Sequence, residues 1–135
     1  MMLFDTNVLI DVIDNDPAWA DWSQEQLDLA NAIGEVCIND VVYAELSIGY
    51  RSPPQLDRML TISGISVIAM PHTALFAAGR AFRRYRAGGG IRTGVLPDFF
   101  IGALAQTMNV PLVTRDPRRY RTYFPGIELI APGLG

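Results

Sequence analysis

The stretch "LFDTNVLID", residues 3–11, decides the reading of the fold. Apolar residues run up to Asp5, polar Thr6 and Asn7 follow, and an apolar run then resumes. The pattern predicts a short buried strand over Met2–Phe4 that ends in an acid, then a helix over Asn7–Asp14. Two roles are open to Asp5. Asp5, Thr6 or Asn7 can cap the helix; alternatively, Asp5 is one carboxylate of a site assembled from distant parts of the chain.

The same alternation continues downstream. Strand-like runs occur at Glu35–Ile38, Ile65–Ile68, Pro111–Thr114 and Ile127–Ile130, each too short for an apolar helix and bounded by turn signals. Helical patterns fill the intervals at Pro17–Ala32, Asp40–Tyr50, Pro54–Ile62, Thr73–Ala87 and Pro97–Met108. In the helix over Thr73–Ala87, Leu75, Ala78, Gly79, Phe82 and Tyr85 are expected to share the buried face. Short buried strands alternating with helices predict an α/β fold with a mostly parallel sheet of four to five strands, covered on both faces. With 135 residues and no linker or repeat, one domain over 1–135 is expected. "AGGGIRTG", residues 87–94, is the one segment expected to be flexible. Cys37 is the lone cysteine and reads as a small hydrophobe in a strand. No apolar run approaches a bilayer span and no leader is evident, so a cytoplasmic location is expected.

Charge is distributed unevenly. Residues 1–50 carry ten acids and no Lys or Arg, whereas residues 51–135 carry eleven Arg and four acids. Either the halves neutralise each other across the fold, or the second half meets an anionic partner such as nucleic acid. The chain has no lysine, which excludes P-loop and Schiff-base chemistry. With His72 as the only histidine, His-based triads and zinc sites are disfavoured too. Carboxylates remain as the chemical groups.

Parallel α/β sheets assemble sites at the carboxyl ends of their strands. Asp5 follows one strand, and Asp116 follows "PLVT" with only Arg115 between. Asp98 stands behind Pro97 at a helix start, and Glu45 interrupts the apolar "VVYAELSIGY". Each has an ordinary alternative: a cap for Asp5 and Asp98, a solvated helix face for Glu45, a turn before Pro117 for Asp116. Gathered at about 6 Å in an effective dielectric near 20, each ionised pair would repel by roughly 3 kcal/mol. Such a cluster must protonate or bind cations. All-oxygen ligands select Mg²⁺ first and Mn²⁺ next, ions suited to phosphodiester hydrolysis.

"LFDTNVLID", "VVYAEL", "LPDFFIGALA" and "VPLVTRDPRRY…PGIELIAP" resemble, in order, the four blocks of PIN-domain proteins, specifically VapC-type toxins of bacterial type II toxin–antitoxin pairs. The resemblance implies a PIN-like α/β/α sandwich and a Mg²⁺- or Mn²⁺-dependent endoribonuclease that inhibits translation. It also implies a homodimer and a cognate VapB-like antitoxin whose C-terminal segment blocks the site. By the same resemblance Asp5, Glu45, Asp98 and Asp116 form the catalytic quartet, with Asp5, Asp98 and Asp116 on the metal. Asn7 and Thr114 match supporting polar positions, so that Asp5 ligates metal while Thr6 or Asn7 caps the helix and orients that carboxylate.

Arg83, Arg84, Arg86 and Arg92 flank the glycine segment, and Arg115, Arg118, Arg119 and Arg121 flank Asp116. They are either phosphate clamps for RNA or solvated surface. A phosphatase of the haloacid dehalogenase type would want a second Asp at position 7, where Asn stands, and the Lys that this chain lacks. A catalytically silent PIN-like module that binds RNA or protein is the alternative from another class.

Overall fold

The computed structural model describes residues 1–92 and 94–133. Among these residues, five strands form the predicted parallel sheet: β1 (Met2–Phe4), β2 (Val36–Asn39), β3 (Ile65–Ile68), β4 (Leu112–Val113) and β5 (Leu129–Ile130). Seven helices among the same residues connect them: α1 (Thr6–Ile13), α2 (Ala20–Ile33), α3 (Asp40–Ser47), α4 (Pro53–Ile62), α5 (His72–Ala87), α6 (Leu96–Met108) and α7 (Arg118–Tyr123). The strand order is β3-β2-β1-β4-β5, every pairing parallel, with Met2 opposite Val36 and Leu3 opposite Leu112.

That order fixes where a site can form. The chain moves outward from β1 to β2 and β3, then returns across the sheet to β4 and continues to β5. Right-handed crossovers therefore place α1–α4 on one face and α5–α7 on the other. Most of the packing follows this division, with α1 meeting α2 and α3, α3 meeting α4, and α5 meeting α6 and α7, while α3 also reaches α6. The direction reverses between β1 and β4, so the crevice outside their carboxyl ends is the topological switch point. Asp5 and Thr114 stand there.

Leu3, Phe4, Val36, Cys37, Ile38 and Leu112 are fully buried, as expected of strands covered on both faces. Each large side chain so buried contributes about 1.5–3 kcal/mol. Helix α6 is enclosed along its middle: Phe99 and Ile101 through Ala105 are all buried. Gly102 lies under the Phe124 ring, which an added Cβ would meet at 2.4 Å, so only glycine admits this approach of α6 to the end of α7. Pro97 lies in the first turn of α6, and Asn109 closes it with φ 52°.

Several expected elements differ in extent or orientation. Helix α2 starts at Ala20 rather than Pro17, because Asp16 Oδ2 accepts from the amides of Ala18 and Trp19 and holds a turn there. Helix α3 ends at Ser47, before the expected Tyr50. The "RDPRRY" stretch does not stop at a turn: α7 forms from Arg118, with Tyr120 buried. The buried face of α5 is rotated to Ala74, Ala78 and Ala81, while Leu75 is exposed and an added Cβ at Gly79 would meet open space. Alanines let α5 lie close against α6, and that contact outweighs the hydropathy of Leu75. In the glycine segment, the amides of Gly90 and Arg92 donate to the Tyr85 carbonyl and hydroxyl, respectively. Thr93 of that segment lies outside the described residues.

Candidate active site

Asp5 occupies the N-cap position of α1, yet its side chain makes no capping bond. Its Oδ2 instead accepts from Thr114 Oγ1 at 2.8 Å, from the Tyr120 hydroxyl at 2.9 Å and, at 3.5 Å, from Asn7 Nδ2. Thr114 is fully buried beyond β4 and also accepts the Asp116 amide at 3.1 Å. Asn7 Oδ1 accepts the Arg115 amide at 3.2 Å. The ends of β1 and β4 are thus stitched together through Asp5, Asn7 and Thr114. The expectation that Thr6 or Asn7 caps α1 is corrected, because both side chains turn to the carboxylates instead. Thr6 Oγ1 donates to Glu45 Oε1 at 2.6 Å, tying α1 to α3.

Asp98 stands in the first turn of α6, half-buried, and its Oδ2 pairs with the Arg119 guanidinium. Helix α3 touches α6, bringing the helices of Glu45 and Asp98 together. Burial pushes the Asp5 carboxyl up to about 6, and the Asp98 charge adds to the push while Thr114 and Tyr120 oppose it. Burial also raises the Asp98 carboxyl; Arg119 offsets this, and Asp116 adds to it. The Tyr120 phenol is held well above its ordinary value by burial and then by the charges of Asp5, Asp98 and Glu45. Asp5, Asp98 and Glu45 therefore lie within electrostatic reach of one buried hydroxyl. Asp116 stands further out: its side chain is 65% exposed and sits 3.7 Å from Arg118.

Among the described residues, no three carboxylate, His or Cys groups are close enough together to hold an ion between them. The structure offers instead the neighbouring carboxylates Asp5 and Asp98, the first buried and incompletely compensated. This donor set fits Mg²⁺, which keeps several waters and is usually held by one or two protein carboxylates together with substrate phosphate.

The arginines separate by what they touch. Arg115 pairs with buried Asp11, which also accepts from Ser23 Oγ at 2.8 Å. Arg84 donates to the Tyr123 carbonyl, and the Arg86 guanidinium lies 5.2 Å from the Phe82 ring centre. Arg83 and Arg92 have exposed side chains. Tyr120 and Asp11 carry no signal in the sequence as site-forming groups, and Thr6, expected to orient Asp5, bonds Glu45 instead. A tyrosine in "RRY" carries no signal of burial until the register of α7 is known.

No curated protein matches the chain. Among solved structures, it is similar to a chain of VapBC2 from Rickettsia felis bound to a DNA fragment from their promoter, 23% identical, with 96% of this chain and 97% of that one covered at TM-score 0.72. It is also similar to a chain of a toxin-antitoxin complex from Klebsiella pneumoniae, 22% identical with 98% of each chain covered at TM-score 0.71. A third, DNA bound VapBC from Salmonella typhimurium, is 23% identical with 96% of each covered at TM-score 0.70. At such identities the likeness establishes a shared fold. Residues 2–125 match the model of the PIN domain, and with nearly the whole chain so matched, the protein belongs to the PIN domain family.

Proposed function

We propose that this protein is a metal-dependent endoribonuclease and the toxin of a VapBC-type pair, acting on translation by cutting RNA. The observation that carries the reading is the buried Asp5 carboxylate, fixed by Thr114 and Tyr120 at the switch point and pushed up to about 6 beside Asp98. Asp5 and Asp98 are the residues assigned to hold Mg²⁺, with Mn²⁺ as substitute, and Asp116 is assigned as their outer companion. When bound, such an ion polarises a phosphoryl oxygen and lowers the pKa of water. Thr114 and Tyr120 keep Asp5 in one orientation by donating to the same oxygen. Glu45, held by the Thr6 hydroxyl, is assigned as the acceptor of the attacking water's proton. Asn7 holds the Arg115 backbone and so the loop carrying Asp116. The exposed Arg83, Arg86 and Arg92, with Arg84 and Arg115 in smaller part, are assigned to the RNA backbone.

A VapB-like antitoxin is the proposed partner. A groove beside the site supports this, lined by apolar Ile10, Ile13, Leu46 and Ile48 together with the acids Asp14 and Glu45. It suits a segment of apolar side chains flanked by cations. A homodimer in the cytoplasm completes the reading. A catalytically silent binding module is the second reading, favoured by the Arg119 guanidinium on Asp98. Incubating the purified protein with structured RNA separates the two. Cleavage with Mg²⁺ or Mn²⁺ that stops in EDTA is expected, and intact RNA under every metal condition would favour the silent module.

A further inference from the structure

Arg119 supplies the site with a cation of its own. It follows Asp116 by three residues, and its guanidinium pairs with Asp98 Oδ2. The side chains are 28% and 31% exposed, respectively, so the pair is largely shielded from water. Other arginines nearby are engaged elsewhere: Arg115 by Asp11, Arg84 by the Tyr123 carbonyl, Arg118 by Asp116. Among the described residues, Arg119 is the cation in a salt bridge with Asp98.

A carboxylate oxygen engaged by a guanidinium is not free for a hard divalent ion, and two cations on one carboxylate repel each other. Arginine cannot escape by deprotonating, so its charge must move. Helix α7 is anchored by buried Tyr120 and followed by buried Phe124, which leaves the torsions of the Arg119 side chain as the route of release.

We propose that Arg119 is a resident counter-cation: it neutralises Asp98 in the metal-free protein and must leave Asp98 before a divalent ion binds. This rests on the metal-dependent reading above. Arg119 then lowers metal affinity, and metal binding frees Arg119, as reciprocal coupling requires.

Calorimetric titration of Mn²⁺ into wild type, Arg119→Gln and Arg119→Lys tests it, with melting temperatures taken in EDTA. Arg119→Gln is expected to bind Mn²⁺ about tenfold more tightly, a coupling of ordinary size. Arg119→Lys, which keeps the charge, is expected to stay within about threefold of wild type. A merely structural arginine would lower the melting temperature in EDTA without any gain in affinity. Wild-type binding with an unchanged or weaker Arg119→Gln overturns the proposal alone, as does equal tightening in both variants. Absence of Mn²⁺ binding in all three overturns the metal reading and this proposal together.

Discussion

Two buried aspartates on one short stretch, Asp5 and Asp11, live in opposite surroundings. Asp11 is 2% exposed and meets a full counter-charge: Arg115 pairs with it, Ser23 donates to it, and the Arg115 guanidinium lies 5.5 Å from the Trp19 ring centre. Asp5 is 6% exposed and meets hydroxyls, an amide and the neighbouring charge of Asp98. A buried carboxylate is tolerated when a cation and hydrogen bonds compensate it. At Asp11 the protein provides that cation and obtains a clamp among α1, α2 and the loop beyond β4. At Asp5 it provides orientation and leaves the charge for something else.

Substituting the two residues should separate architecture from chemistry. Asp5→Asn is expected to reduce RNA cleavage about a thousandfold or more, measured as single-turnover rates in Mg²⁺, since the ion's contribution is worth several kcal/mol. Its melting temperature in EDTA should be equal to or above wild type. Asp11→Asn should do the reverse, with Arg115 left short of a partner: about 1–3 kcal/mol lost in urea unfolding, and activity changing less than stability.

The pH dependence sharpens the contrast. The folded Asp5 carboxyl sits at about 6 against an ordinary 3.8. Its folded value is raised, so its contribution is fully present below about 3.8 and is lost as pH rises through about 6. At pH 7 the ionised group costs the metal-free fold roughly 3 kcal/mol. Unfolding free energies in EDTA should therefore show wild type falling relative to Asp5→Asn between pH 4 and 7, and saturating Mn²⁺ should recover the difference. A flat difference across that range would show Asp5 to be compensated as fully as Asp11.

Much of this is legible in the sequence, and the rest is hidden from it for definite reasons. Asp5 is readable because strand ends follow from short apolar runs and parallel topology brings such ends together, whereas Thr114 enters only through the family resemblance. Tyr120 and Arg119 are not readable, because their directions depend on the register of α7, a helix too short for periodicity. Asp11 carries no sequence signal of its role, because its partner Arg115 is 104 residues away. The rotation of α5 departs from its hydropathy pattern because hydropathy ranks Leu75 above Ala74, whereas close packing on α6 favours the smaller side chain.

Two smaller effects complete the series. Tyr120→Phe removes one donor from Asp5 while keeping the buried ring, so cleavage should fall about tenfold, with stability changing by about 1 kcal/mol. The loss should appear in the rate constant and the Mn²⁺ affinity rather than in RNA affinity. Arg83→Gln should weaken binding of a labelled single-stranded RNA a few-fold and lower the salt slope by about one, if that exposed side chain meets a phosphate. An unchanged slope would assign Arg83 to the solvated surface.

The central claim is that Asp5, unlike Asp11, waits for a divalent cation alongside Asp98. Anomalous diffraction from crystals grown with Mn²⁺ tests this most directly. The account predicts a peak bound by the carboxylates of Asp5 and Asp98, with Arg119 turned away from Asp98. Crystals of protein that cleaves RNA with Mn²⁺, yet show no peak there and Arg119 still on Asp98, would contradict it.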